Sequence, residues 1–365
     1  MTKHVAVALL AGVVVTLLLV DYLRTHVKST ATTARARFLS ETTLPPKHEV
    51  EAMDQQGGYD YAALQNATLD QWKPASGPCS PRSSLQRRTT FRRQTTLSLK
   101  KEDAASENLQ GSVTAAITMG PFRAKHRVKH FLTPLEQCIY IKEIVFDTWV
   151  PADQSIVDFR AALGEQLMKA NSTKARVLPG ERGLGERFYV AEYIDSPFTL
   201  VLDDDRSMKC AEIHKLLLAG RLFPRRVVSG LDHRRSIYKC GSSDALFYSY
   251  SRNDDNLALT CGALLSTSLL QSYTQIIPKP VVGLINREKN CEDMTINWLA
   301  AHLNGDEQES CVIVEDASAL VGPQGSESLS RTNTEARRDA CVNFLRDVFP
   351  YWPVPRPSSF RVRIH

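Results

Sequence analysis

No two cysteines in this sequence are spaced C-x-x-C. The eight, at positions 79, 138, 210, 240, 261, 291, 311 and 341, scatter over 365 residues, which argues against a zinc ribbon. Whether they pair as disulfides is then a matter of compartment. Charge of one sign is scarce too: a net +5 over this length is too mild to argue for nucleic acid. The basic run Arg87-Arg88-Thr89-Thr90-Phe91-Arg92-Arg93 carries one aromatic residue, Phe91, for stacking on bases, and reads as a solvated stretch. Internal repeats are lacking. Between residue 25 and about residue 110, neither the helical nor the strand period is sustained.

What is present is an ordinary globular composition, 43% hydrophobic and 23% charged, with room for one large domain or two small ones. Val5 to Val20 reads VAVALLAGVVVTLLLV without a charge, and with Tyr22 and Leu23 it is long enough to cross a thin bilayer. Asp21-Tyr22-Leu23-Arg24 follows where a cleavable signal peptide would want small residues. Residues 1–23 are therefore expected to be an uncleaved signal anchor. Arg24, Lys28, Arg35 and Arg37 outnumber the basic residues before the span, and the positive-inside rule alone would leave the C-terminal part in the cytosol. Residues 24–110, dominated by Ser, Thr, Gln, Pro and charge, are expected to form a low-complexity, disordered stem. Asn66-Ala67-Thr68 and Asn171-Ser172-Thr173 are glycosylation acceptors if this part is lumenal.

Residues 111–365 are expected to form one domain. Val113 to Thr118, Ile139 to Trp149 and Phe198 to Leu202 read as strands, while Ile156 to Met168 and Cys210 to Leu222 have helical spacing. Val227-Val228 and Leu257 to Thr260 suggest short strands. Glu292 to Leu303 and Thr334 to Val348 suggest helices. Such alternation predicts a mainly parallel α/β sheet. Thr199-Leu200-Val201-Leu202 runs without charge into Asp203-Asp204-Asp205. An apolar run of this kind suits a buried strand, and its tip lies at the edge where ligands of open α/β folds collect. Three packed anions repel, so a cation is expected there, and hard oxygens suit Mg²⁺ or Mn²⁺ carrying a phosphate-bearing substrate. Taken alone, an acidic turn at a strand end explains the triplet equally well.

With the strand before it and the helix after it, the triplet resembles the D-x-D element of nucleotide-sugar glycosyltransferases with the GT-A fold. Asn290-Cys291-Glu292-Asp293-Met294, followed by Asn297-Trp298-Leu299-Ala300-Ala301, resembles the NCED-x-x-x-N segment of glycosyltransferase family 64, the exostosin and exostosin-like enzymes. Phe223-Pro224-Arg225-Arg226-Val227-Val228-Ser229-Gly230 is similar to that family's FPDRIVGF. Cys261-Gly262-Ala263 stands where it has TGA or IGA, and Arg337-Arg338-Asp339-Ala340-Cys341 resembles its QRSYC. The motifs run in order, at compatible spacing, over about residues 112 to 350.

The resemblance implies a Rossmann-like mixed sheet flanked by helices. It implies metal-dependent, retaining transfer of a sugar, first of all an N-acetylhexosamine, from a UDP-sugar to a glycan or glycolipid acceptor with an α linkage. The setting would be the Golgi or endoplasmic reticulum membrane, as a type II protein with a lumenal catalytic domain. By carry-over, Mn²⁺ is ligated by Asp205, with Asp203 and Asp204 towards the ribose and diphosphate. Arg187 contacts the nucleotide, and Asp147 stands where an Asn usually meets uracil. Asp293 lies beneath the donor's sugar carbon and Arg338 beside the diphosphate, where a guanidinium grips phosphate charge. A Cys291–Cys341 disulfide is implied as well, closing a loop of about fifty residues and contributing about 4 kcal/mol in the chain-entropy model.

With Asp147 in place of the usual Asn, the sequence departs from the family in several places. The family's Gln-Thr-Tyr-x-Arg at the end of the first strand reads Thr118-Met119-Gly120-Pro121-Phe122-Arg123 here, with Arg123 standing in for the lost Arg, and Arg182 stands where an Asn is common. The larger exostosins carry a second glycosyltransferase domain, so the expected type is the single-domain exostosin-like one. The departures keep a second hypothesis open, a catalytically inactive relative that binds or stabilises a partner glycosyltransferase; a homodimer is a separate partner expectation.

Overall fold

The structure, a computed structural model, describes residues 61–74, 95–99, 109–120, 128, 132–150, 155–179, 183–230, 234–239, 244–249, 255–317, 320–321, 335–357 and 360–364. The expected anchor, the basic run, Arg123 and Arg182 lie outside them. Among the described residues no helix is long and apolar enough to cross a membrane.

In chain order the strands are β1 (Thr95–Leu99), β2 (Val113–Met119), β3 (Ile141–Thr148), β4 (Ala175–Val177), β5 (Phe198–Asp203), β6 (Arg206–Ser207) and β7 (Val227–Gly230). They continue as β8 (Arg234–Lys239), β9 (Leu246–Ser249), β10 (Leu257–Ala258), β11 (Gly262–Ser266), β12 (Cys311–Val314), β13 (Leu320–Val321) and β14 (Phe360–Ile364). The main helices are α1 (Ile156–Lys169), α2 (Cys210–Leu222), α3 (Thr267–Ile276), α4 (Lys279–Glu288), α5 (Glu292–Leu303) and α6 (Glu335–Val348). Nine strands make one sheet in the order β1-β14-β12-β7-β11-β5-β2-β3-β4. It is parallel except at β11, which runs antiparallel to both β5 and β7. Mixed α/β architecture with a mainly parallel sheet is therefore present, the single reversal lying next to the acidic strand.

Side chains alternate across a strand, and both faces of this sheet are buried. Ala115, Ile117, Leu200 and Leu202 face one apolar cluster with α1 and α2. Ala116, Val145 and Val201 face the other, which is closed by α3, α4, α5 and α6 around Tyr273, Trp298 and Phe344. Helix starts are fixed locally. Ser155 accepts from the Asp158 N–H at α1, and Ser266 accepts from the Leu269 N–H at α3.

Two pieces of the expected stem belong to the folded domain, contrary to the disorder expected of residues 24–110. Strand β1 pairs in parallel with β14. Residues 61–74 lie as a strap across α4 and α6: Leu64 and Leu69 are fully buried, and Trp72 meets the Phe344 ring edge-on at 5.0 Å. Arg287 of α4 donates to the Leu64 carbonyl, and Glu288 accepts from the Leu69 N–H at 3.2 Å. A few well-spaced apolar residues suffice for such docking, and they carry no period that a window could detect. Asn66 in the strap is exposed; so is Asn171, just after α1, whose φ of 51° is left-handed.

Candidate active site

The floor of the site follows from strand register. Thr118 of β2 pairs with Asp203 of β5 on one side and with Asp147 of β3 on the other. The three are level at the carboxyl edge. By alternation they share the face of Ala116, Val145 and Val201, the one covered by α3 to α6. Asp147 is only 3% exposed. Beyond β5 the chain turns at Asp204 and Asp205, with the Asp204 carboxylate accepting from the Gly120 N–H at 3.3 Å. Asp205 lies 3.5 Å from the Arg206 guanidinium.

Arg187 comes to this floor on a 3-10 segment, Leu184–Glu192. Its Nη2 donates to Asp203 Oδ1 at 2.8 Å, and the residue is 3% exposed. The segment is seated on α4: Asn286 Oδ1 accepts from the Gly185 N–H at 2.7 Å. A Cβ on Gly183 would come within 2.1 Å of the Asn286 side chain, so only glycine lets the backbone approach this closely.

Asp293 arrives from the first turn of α5. Its Oδ1 accepts from the Thr260 N–H at 2.8 Å and from the Thr260 hydroxyl, tying the helix start to the turn before β11. Asn297, one turn later, donates to the carbonyls of Ala258 and Asp293 and accepts from the Ala258 N–H at 3.1 Å. The D-x-x-x-N spacing of the motif thus has a structural reason: Asp293 and Asn297 both clamp the β10–β11 connection. Cys291, with φ 82°, precedes the helix and is bonded to Cys341 of α6, their Cα atoms 5.4 Å apart.

That bridge places α6, and with it Arg338, beside α5. Arg338 is 9% exposed; its Nη1 donates to Tyr248 Oη at 2.6 Å while its guanidinium lies 4.9 Å from the same ring's centre. Asp339 accepts from the Tyr248 N–H at 2.6 Å, and Asn343 is bonded to both backbone groups of Leu246. Helix α6 therefore grips β9 from three positions.

Electrostatics bind these pieces together. Burial alone would lower the Arg187 pKa, but Asp203, then Asp293 and Glu292, hold it above its ordinary value. Burial, then the charges of Asp203 and Asp293, push the Cys261 thiol up. One guanidinium thus lies in the field of carboxyls from β5 and α5, residues 90 apart in the chain. The structure brings Asp203, Arg187, Asp293 and Cys261 into one neighbourhood, with Asp147 level on the floor. Arg338 lies on α6, which the disulfide ties to the start of α5, and is held by Tyr248.

Sequence reasoning missed Thr260 and Tyr248, which hold the two key side chains, and gave no role to Glu292. A second disulfide was missed as well: Cys138 and Cys210 pair with Cα atoms 5.1 Å apart, joining the start of β3 to the start of α2. Cys261 and Cys311 are buried thiols. Among the described residues, no group of three or more His, Cys, Asp or Glu side chains is arranged to hold a metal. The donor chemistry at Asp205 nonetheless suits a hard cation that takes one or two carboxylates and completes its shell with substrate phosphate and water.

A glycosyl transferase family 64 domain matches residues 114–363. The chain belongs to that family. Among curated relatives, the Exostosin-like-3 homolog of Caenorhabditis elegans is 27% identical over 183 residues, 50% of this chain and 22% of that protein. Exostosin-2 of Homo sapiens is 25% identical over 182 residues, covering 49% and 25%. Glucosamine inositolphosphorylceramide transferase 1 of Arabidopsis thaliana is 26% identical over 182 residues, covering 49% and 22%. The match spans a quarter or less of these relatives. Among solved structures, S. aureus TarS 1-349 in complex with UDP-GlcNAc superposes with a TM-score of 0.41 at 13% identity, covering 64% of this chain and 66% of that one. A likeness that loose carries no argument about function.

Proposed function

We propose that this chain is a metal-dependent, retaining glycosyltransferase of the GT-A fold. It moves a sugar, first of all an N-acetylhexosamine, from a UDP-sugar to a glycan or glycolipid acceptor with an α linkage. The observation that carries the reading is the meeting of Asp203, Arg187 and Asp293 over a floor shared by Thr118 and Asp147. The reading places residues 111–365 in the Golgi or endoplasmic reticulum lumen, with residues 1–23 as a type II anchor.

Asp205 would hold the divalent cation, which when bound supplies Lewis-acid neutralisation of the leaving diphosphate. The other roles belong to the chain's own residues. Arg187, buried and fixed by Asp203, presents guanidinium N–H groups to the nucleotide from a position it cannot leave without breaking that ion pair. Arg338, immobilised on Tyr248, is a second cation for phosphate charge. Asp293 is oriented by two bonds from Thr260, so one oxygen is committed and the other is available to the donor's sugar carbon, as nucleophile or as charge stabiliser of an oxocarbenium-like ion pair. Asp147 meets the base.

The test is turnover of a panel of nucleotide sugars with Mn²⁺, with the product anomer read by NMR. An α-linked product from a UDP-sugar, lost in Asp205→Ala, is expected; turnover of no donor would overturn the reading.

The second reading, an inactive relative that binds or stabilises a partner glycosyltransferase, draws on one contact. The altered end of β2 places the Gly120 N–H on the Asp204 carboxylate. Intact folding with no metal-dependent nucleotide binding would favour it.

A further inference from the structure

Glu292 is a carboxyl of this neighbourhood to which the proposed mechanism gives no work. It opens α5 next to Asp293 and is 9% exposed. The groups that face it come from four elements: Asp293 on its own helix, Arg187 from segment 184–192, Asp203 from β5, and Tyr273 from α3, around which Tyr189 and Glu186 also lie. Glu292 Oε2 is buried without a hydrogen-bond partner among the described residues, and the same holds for Arg187 Nε and Tyr273 Oη.

Three carboxyls therefore share one guanidinium. If all were ionised, two negative charges would stand uncompensated, and the one on Glu292, the buried member of the three, would be the most costly. One carboxyl must yield. Asp203 is 39% exposed and bonded to Arg187, and Asp293 accepts two bonds from Thr260. Glu292 Oε2 has no donor among the described residues. We propose that Glu292 is a positioning residue that keeps a proton in the resting protein and so leaves the Arg187 guanidinium to Asp203 and the bound nucleotide.

Ionised, it would compete with Asp203 for the same N–H groups and pull Arg187 towards α5. Burial, and after it the Asp293 charge, push the carboxyl up to about 8 against the pull of Arg187, which sets the pH at which this competition begins. The inference rests on reading the site as a UDP-sugar pocket, and its two readouts separate from that reading.

The first readout needs no ligand: the thermal midpoints of the wild type and Glu292→Gln from pH 5.5 to 9. The folded wild type holds its proton above the ordinary carboxyl range while the unfolded chain releases it there, so it loses stability relative to the variant as the pH rises from that range to about 8, and the loss levels off above it. The second is UDP affinity in Mg²⁺. Between pH 7 and pH 9 it should weaken about tenfold in the wild type, as the competent fraction falls, and less than about twofold in the variant. A midpoint difference that does not change with pH overturns the proposal. So does a folded variant that keeps the alkaline loss, or that binds no UDP where the wild type does. If neither protein binds UDP, the glycosyltransferase reading fails, while the midpoints still decide whether Glu292 holds its proton.

Discussion

The strand tips on one side of the candidate site and the helix starts on the other are held by different means. Thr118, Asp147 and Asp203 are level because three adjacent parallel strands are in register, and each strand is locked by apolar residues on both faces. Asp293 and Arg338 have no such lattice. Their positions depend on Thr260, Asn297, Tyr248 and a bridge across 50 residues of chain. Register is a collective property that survives the loss of one side chain. A wall of individual cross-links is not, and each link carries a separable share of the geometry.

The comparison can be broken most severely at Asp293. Asp293→Asn keeps an acceptor for the Thr260 N–H and removes the charge, so the fold should persist while kcat falls about 10²- to 10⁴-fold. Steady-state kinetics check it, and a fully active variant would remove α5 from the reaction centre.

The two disulfides sharpen the contrast. Their sequence separations are 50 and 72, so replacing either pair with serine should cost about 4 kcal/mol in denaturant unfolding. Only the Cys291/Cys341 pair lies in the cross-linked wall. Its loss should also lower kcat/KM under folding conditions, whereas loss of Cys138–Cys210 should leave kcat/KM near the wild-type value. Equal kinetic losses would dissolve the distinction.

On the strand side, Arg187→Ala removes the buried cation and leaves Asp203 and Asp293 repelling each other. A stability loss of about 3 kcal/mol and a UDP affinity lowered at least about tenfold are expected, read by unfolding and by titration. The smallest effect expected is that of Asn297→Ala, which frees the backbone of Ala258 and should cost about 1–3 kcal/mol with a modest rise in KM.

The same division governs how much could be read from the sequence. Strands β2, β3 and β5 and helices α1, α2, α5 and α6 were legible because apolar period and buried length agree there, as in Phe198–Asp203 and Cys210–Leu222. Helices α3 and α4 went unread. Both are short, and the single Pro278-Lys279-Pro280 that joins them looks like a break rather than a start. The strap at 61–74 escaped because its anchors, Leu64, Ala67 and Leu69, are too few to set a period. In the site, motif resemblance named Asp293 and Arg338, but nothing in a linear pattern could name Thr260 or Tyr248. Their part is to satisfy partners 33 and 90 residues away, and that follows from the folded topology alone.

The central claim is that the acidic strand tip, Arg187 and the start of α5 surround one nucleotide diphosphate. Calorimetric titration of UDP into the wild type and Asp205→Ala, with Mn²⁺ and then with a chelator, tests it most directly. The account predicts binding that strengthens at least about tenfold with Mn²⁺ in the wild type, with that gain absent in Asp205→Ala. Binding of UDP with equal strength in all four titrations, or in none, would contradict it.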